Sequence, residues 1–231
     1  MMERAYTAEP AIADGRIAAT DATPACRPVA LRRDKRLFDI TGAMLLILLF
    51  APLLLILYAL VRLDGGPGFY RHRRIGAGGR SFDCLKFRSM RTDANAVLQR
   101  LLAEDERAAA EWAAHFKLKN DPRITPVGRF LRKSSLDELP QLFNVVAGDM
   151  SLVGPRPIVE AEKPYYREYL QHYKSCRPGM TGLWQVSGRS DVGYGERVAL
   201  DARYVERWSL ALDITILART PVAVVAGSGA Y

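Results

Sequence analysis

The sequence predicts a mainly α fold with short strands, an α+β monotopic membrane protein. A proline-broken re-entrant helix would carry a cytoplasmic domain with amphipathic interfacial helices. Three observations predict it. An uncharged run fills Ile40 to Val61, segments dense in Ala, Leu and Glu with helical spacing recur downstream, and SFDCLKFRSM alternates like a strand or extended segment. The chain's 231 residues, 49% of them hydrophobic, suffice for one domain plus a membrane element. Its three cysteines, Cys26, Cys84 and Cys176, are far apart and lack metal-ligand spacing, so a disulfide scaffold and a zinc site are both disfavoured and a reducing cytoplasm fits. A net charge of +8 calls for a polyanionic partner.

Taken in order, residues 1–30 lack apolar periodicity and read as a mobile tail. Residues 31–63 form a basic collar and the membrane hairpin. The run Ile40–Val61 has 22 residues, enough to span hydrocarbon, and Pro52 near its middle should kink or break the helix. Arg27, Arg32, Arg33, Lys35 and Arg36 precede it, and Arg62, Arg71, Arg73, Arg74 and Arg80 follow it, so positive charge draws both ends to the cytoplasm. A helix that dips into one leaflet and returns satisfies both ends; a simple kinked span is the competing reading.

Residues 64–231 form the cytoplasmic domain. Asp64–Gly79 reads as a Gly- and Arg-rich connection, after which Lys86 and Arg88 would share one face of an extended segment. Asp93–Lys119 reads as one helix with Leu98, Leu101 and Leu102 on a face. NDPRITP is a turn, and a further helix begins at Val127. Helices are expected at Pro164–Tyr173 and from Glu196 to about Trp208, separated by a Gly-rich loop region from Arg177 to Gly195. The last apolar stretch, Asp213–Ala226, is broken by Arg219 and Pro221 and reads as a buried or interfacial helix.

The densest chemistry lies in RKSSLDELPQLFNVVAGDMSLVGPRP, Arg132 to Pro157. Ser135 and Glu138 match the S-x-x-E capping box, a purely structural role for the acids. Pro140 conflicts with that helix, which would instead begin near Pro140. Either way Asp137 and Glu138 sit at or just before a helix N-terminus, a place that favours anions. Phosphoryl transfer needs an aligned nucleophile and neutralised charge, and carboxylates, arginine and a divalent metal supply them. No phosphate-binding G-x-x-x-x-G-K-[ST] loop, dinucleotide fingerprint or G-x-S-x-G elbow is present. His72, His115 and His172 are isolated and read as surface or hydrogen-bonded residues.

KRLFDITGA, Pro52, CLKFRSM, LRKSSLDELPQLFNVVAGDMSLVGPRP, RPGMTGLWQVSGR and WSLALDITIL occur in this order from about residue 35 onward. In them the chain resembles the monotopic phosphoglycosyl transferases of the bacterial sugar transferase family, and among these the galactose 1-phosphate transferases of exopolysaccharide synthesis. The resemblance implies transfer of a sugar 1-phosphate from a UDP-sugar to undecaprenyl phosphate with release of UMP, at the cytoplasmic face of a bacterial inner membrane. It implies Asp137 as nucleophile, Glu138 as its partner and Mg2+ at the two carboxylates. Lys86, Arg132 and Arg156 match phosphate-contacting cations, with Arg177 a weaker match; Arg36 and Asp39 would anchor the membrane helix. Many relatives have serine before the membrane proline, where this chain has Ala51.

Galactose is the favoured sugar and glucose the alternative. Membrane lipids are expected partners and nucleic acid is not, since no recognition pattern accompanies the charge. A homodimer is compatible with the sequence, although no residue argues for one. Two other classes compete: a membrane-tethered polyanion-binding adaptor, for which LDELPQLF is only a capped helix, and a phosphotransferase that hydrolyses a lipid diphosphate.

Overall fold

The computed structural model describes residues 29–115, 118–188 and 193–225. Most of the expected tail lies outside them, as do Cys26 and part of the Gly-rich loop region. Val29 and Ala30 are part of the folded body instead of the tail: Val29 is buried, and the Ala30 amide donates to the Ser175 carbonyl at 3.0 Å.

Helix α1, Arg33–Arg62, organises the molecule. Lys35, Asp39, Ala43, Leu46, Ile47, Phe50, Leu53, Leu54, Leu57 and Val61 recur at intervals of three and four residues and are all buried or packed on the body. The opposite face presents Leu37, Met44, Leu45, Leu48, Leu49, Leu55, Ile56 and Leu60, all exposed. The expected break at Pro52 does not divide the segment, which is one helical element with the proline on its exposed side. There the missing N–H leaves the Leu48 carbonyl without its helical donor.

A hairpin of β1, Phe69–Ile75, and β2, Ser81–Phe87, follows. β1 occupies what read as a basic connection, because FYRHRRI alternates polar with polar and carries no apolar rhythm. The expected long helix is two, α2 (Ala94–Glu104) and α3 (Glu106–His115), divided at Asp105, whose carboxylate accepts from the Arg107 and Ala108 amides at 2.9 and 3.0 Å. α4, Pro126–Ser134, starts from Thr125, whose hydroxyl accepts from the Gly128 amide at 2.8 Å. α5, Gln141–Ala147, ends at Gly148 in the left-handed conformation with φ of 97°.

β3, Ser151–Val153, pairs in parallel with β4, Gly179–Thr181, inside the region read as a loop. Their approach requires glycine: a Cβ on Gly179 would come within 2.1 Å of the Gly154 nitrogen. The expected helix at Pro164–Tyr173 is divided into α6, Lys163–Tyr166, and α7, Leu170–Lys174. α8, Leu183–Val186, α9, Tyr194–Glu206, and α10, Leu210–Val225, complete the described fold.

One core joins Ala43 of α1 to Phe82, Cys84, Leu142, Val145, Leu152, Tyr204 and Ile216. A second joins Leu54, Leu57 and Val61 of α1 to Phe87 and Leu131. Both halves of α1 therefore pack on the same body. Cys84 and Cys176 are free and buried.

Candidate active site

Asp137 and Glu138 lie on a single 3-10 turn, Leu136–Glu138, between α4 and α5. Ser135 closes α4 in the left-handed conformation with φ of 56°, and its amide donates to the Arg132 carbonyl at 3.2 Å. Its hydroxyl caps nothing, so the capping box is absent and the doublet is released from that structural role. The carboxylates lie four and three residues before Gln141, the first residue of α5, which starts after Pro140 as that proline requires.

Strand β2 brings Lys86 to the doublet. Its ammonium donates to Glu138 Oε1 at 2.6 Å and stands 3.9 Å from Asp137 Oδ2. Asn144 of α5 fixes this approach: its Oδ1 accepts from the Leu85 amide at 2.9 Å and its Nδ2 donates to the Asp83 carbonyl at 2.8 Å. The strand edge is thus clamped to the helix that follows the dyad.

Arg132 stands in the last turn of α4, where its Nε donates to the Ser89 hydroxyl at 2.8 Å and its charge acts on Asp137. α4 lies this near because residue 128 is glycine: a Cβ there would fall 1.9 Å from the Ser89 carbonyl oxygen. Arg156 lies in the GPRP loop with its guanidinium 5.6 Å from the Trp184 ring centroid, and its charge acts on Glu138. That loop is tied to β1 by the Ile75 amide, which donates to Ile158 at 2.9 Å, and by Arg74 Nη1, which donates to the Pro157 carbonyl at 3.1 Å.

Two acids side by side acquire different properties. Asp137 is only 8% exposed, and burial pushes its carboxyl up to about 6, with the Glu138 charge adding to the rise and Lys86 and Arg132 opposing it. For Glu138, burial also works against the charge, but the Lys86 contact, with Arg156 and Arg74 beyond it, holds the carboxyl below its ordinary range. Lys86 is raised because its two acids outweigh its own burial. Near neutral pH the arrangement is a largely ionised, weakly paired Asp137 beside a Glu138 neutralised by lysine. A buried carboxylate with little pairing is a competent nucleophile or metal ligand.

Other expected site residues lie elsewhere. Arg177 is not brought to the dyad: its Nε donates to the Gly148 carbonyl at 2.8 Å and its Nη1 to the Ala30 carbonyl at 2.7 Å, so it ties the start of the fold to the end of α5. Arg88 lies past the end of β2, where it bonds Asp64 and the carbonyls of Val61, Pro67 and Met90 instead of sharing the work of Lys86. Arg36 donates to the Val145 and Val146 carbonyls of α5 at 2.6 and 2.8 Å. Asp39 accepts from Lys35, the Ser151 hydroxyl and the Leu152 amide.

Sequence reasoning missed Arg74, whose charge reaches Glu138, and Lys35, which joins Asp39 to Asp213 of α10. Lys35 carried a signal in its i,i+4 spacing to Asp39 on an otherwise apolar helix face. Arg74 carried none.

The chain is similar to several proteins of bacterial polysaccharide synthesis. It is 55% identical over 197 residues to the undecaprenyl-phosphate galactose phosphotransferase of Salmonella typhimurium, covering 85% of this chain and 41% of that protein. It thus spans about two fifths of that relative's length. Its likeness to the exopolysaccharide production protein ExoY of Rhizobium meliloti is 51% over 210 residues, 90% of this chain and 92% of that one. A UDP-glucose:undecaprenyl-phosphate glucose-1-phosphate transferase of Caulobacter vibrioides is 41% identical over 213 residues, with 88% and 74% covered. The bacterial sugar transferase model matches residues 31–227, which takes in the dyad, its four surrounding cations and all of α1. By that match the chain belongs to the bacterial sugar transferase family.

Proposed function

We propose that this chain transfers a sugar 1-phosphate from a UDP-sugar to undecaprenyl phosphate and releases UMP, the priming step of exopolysaccharide synthesis. The observation that carries the reading is Asp137, buried and weakly paired, beside a Glu138 that Lys86 holds, with Arg132, Arg156 and Arg74 around them. A carboxylate oxygen of Asp137 attacks the sugar-bearing phosphorus, a P–O bond forms, and the bond to the UMP oxygen breaks. A phosphate oxygen of undecaprenyl phosphate then attacks the same phosphorus, the Asp137–phosphorus bond breaks, and the carboxylate is regenerated. The cations offset the charge on the phosphoryl oxygens in both transfers.

Asp137 and Glu138 together offer two hard oxygen donors. They would be the residues to hold a Mg2+ ion, a hard cation that takes carboxylate oxygens. When bound, such an ion supplies charge neutralisation at the phosphates. Galactose is the proposed sugar, since the names of the Salmonella relative and of an Erwinia amylovora protein 55% identical over 197 residues specify it. The exposed leucine face of α1 supports insertion into lipid, and the packing of both its halves on one body supports attachment from the cytoplasmic side without a crossing.

Incubation with UDP-galactose, undecaprenyl phosphate and magnesium tests the reading. UMP and a lipid-linked sugar phosphate are the expected products. No UMP from any UDP-sugar would indicate an adaptor, and free phosphate without lipid-linked sugar would indicate a hydrolase.

A further inference from the structure

Strand β1 carries, beside Lys86, a side chain that the mechanism above does not use. Tyr70, His72 and Arg74 are the cross-strand partners of Lys86, Cys84 and Phe82, so they share the sheet face from which Lys86 reaches Glu138. His72 is the diagonal neighbour of Lys86 on that face. Beside it, Arg74 Nη2 lies 3.2 Å from His72 Nδ1.

A guanidinium carries only donors, so Nδ1 must accept and the ring proton must sit on Nε2. Burial, together with the charges of Arg74, Lys86 and Arg156, lowers the imidazole pKa to about 4 against the opposing Glu162, so the ring is neutral near pH 7. Arg74 is itself fixed, by the Pro157 carbonyl at 3.1 Å and by Glu162 Oε2 at 3.6 Å. No described residue accepts from Nε2, and the ring is half-buried. The result is an oriented N–H donor without a partner, in a neighbourhood of three cations and one carboxylate. An acceptor that suits it carries negative charge.

We propose that His72 is a substrate-binding residue whose Nε2–H donates to a non-bridging phosphate oxygen of the nucleoside diphosphate sugar, with Arg74 as the positioning residue that fixes its ring and tautomer. The inference rests on the donor reading above and adds to it a contact from β1, on a different element from the dyad and the GPRP loop. A neutral donor there orients the diphosphate without competing with Lys86 for the Glu138 carboxylate.

Two amide substitutions separate this role from a structural one. The glutamine amide nitrogen reaches the place of Nε2, whereas the asparagine amide occupies the place of Nδ1. His72→Gln should hold the donor KM and the inhibition constant of UDP within about threefold of the wild type. His72→Asn and His72→Ala should raise both about tenfold, the loss of one hydrogen bond, and leave the KM for undecaprenyl phosphate unchanged. The reverse order, with asparagine rescuing and glutamine failing, would show that only the Nδ1 contact to Arg74 matters and would overturn the proposal. A raised donor KM with unchanged UDP inhibition would overturn it too, because the contact would then be to the sugar. Nitrogen-15 spectra of the free wild-type protein should place the ring proton on Nε2, and a proton on Nδ1 would also refute the assignment. Wild-type protein that releases no UMP would sink the proposed function; turnover with equal constants in all three variants would sink only the role of His72.

Discussion

On the proposed mechanism, Asp137 makes activity depend on pH in a definite direction. Its folded pKa of about 6 lies above the ordinary 3.8, and attack needs the ionised form, so single-turnover UMP release should rise with pH through about 6 and level off above it. The same shift bears on stability with the opposite sign. A raised carboxyl pKa stabilises the fold fully below about 4, and that contribution is lost as pH rises through 6. Asp137→Asn should therefore abolish UMP release while melting no lower than the wild type at pH 8, with a gain of at most about 3 kcal/mol. A variant that retained turnover would remove Asp137 from the role of nucleophile. Arg156→Lys should lower the rate of transfer at least tenfold, measured as lipid-linked product, because a point charge replaces a planar fork that also stacks on Trp184. At this scale the dyad, Arg132 and Arg156 were legible because carboxylates and cations converge in one short segment, whereas Lys86 drew notice as a site residue only through the family resemblance. Arg74 and His72 were not legible, since what gives them meaning is the pairing of β1 with β2 and the approach of Pro157, both formed by residues distant in sequence.

Helix α1 is joined to α10 by a buried ionic cluster. Lys35 Nζ contacts Asp39 Oδ1 at 3.2 Å, Asp213 Oδ2 at 2.8 Å and the Val153 carbonyl at 3.0 Å, while Tyr204 and Trp208 satisfy Asp213 from the other side. Removing one member leaves buried charge without compensation, so Lys35→Met should cost about 3–5 kcal/mol and appear as a fall of the thermal midpoint in detergent. Lys35→Arg keeps the charge and should cost less. Elements with strong local signals, α4, α9 and β2, lie close to their expected positions, while the apolar run lies within a helix that starts earlier, at Arg33, and is not divided at Pro52. A departure occurred where one residue decides between alternatives: Asp105 divides a long Ala-rich helix by capping its second half, whereas Pro140 defers α5 to Gln141 as expected, so that Ser135 ends a helix instead of starting one. The parallel pair β3 and β4 was illegible because three-residue strands of mixed composition gain their meaning only from the contact of Gly154 with Gly179.

At the scale of the whole molecule, the leucine face of α1 is an extended apolar surface, and Leu45 and Leu48 are 62% and 75% exposed. Replacing both by lysine should shift the protein from the membrane to the soluble fraction on centrifugation, with little change in far-ultraviolet circular dichroism, since neither side chain enters the core. Topology has its own test. With attachment from the cytoplasmic side without a crossing, a cysteine placed at residue 3 should resist a membrane-impermeant thiol reagent in intact cells, and its labelling from outside would refute that topology.

The inner stripe of α1 has a consequence for how such a protein is taken apart. Ala43, Leu54, Leu57 and Val61 complete both cores, so this helix is structural masonry as much as tether. A fragment that starts at residue 64 should not yield a soluble catalyst, and grafting a foreign anchor in place of α1 should give an unfolded chimera, because lipid attachment and catalytic architecture were never separable modules.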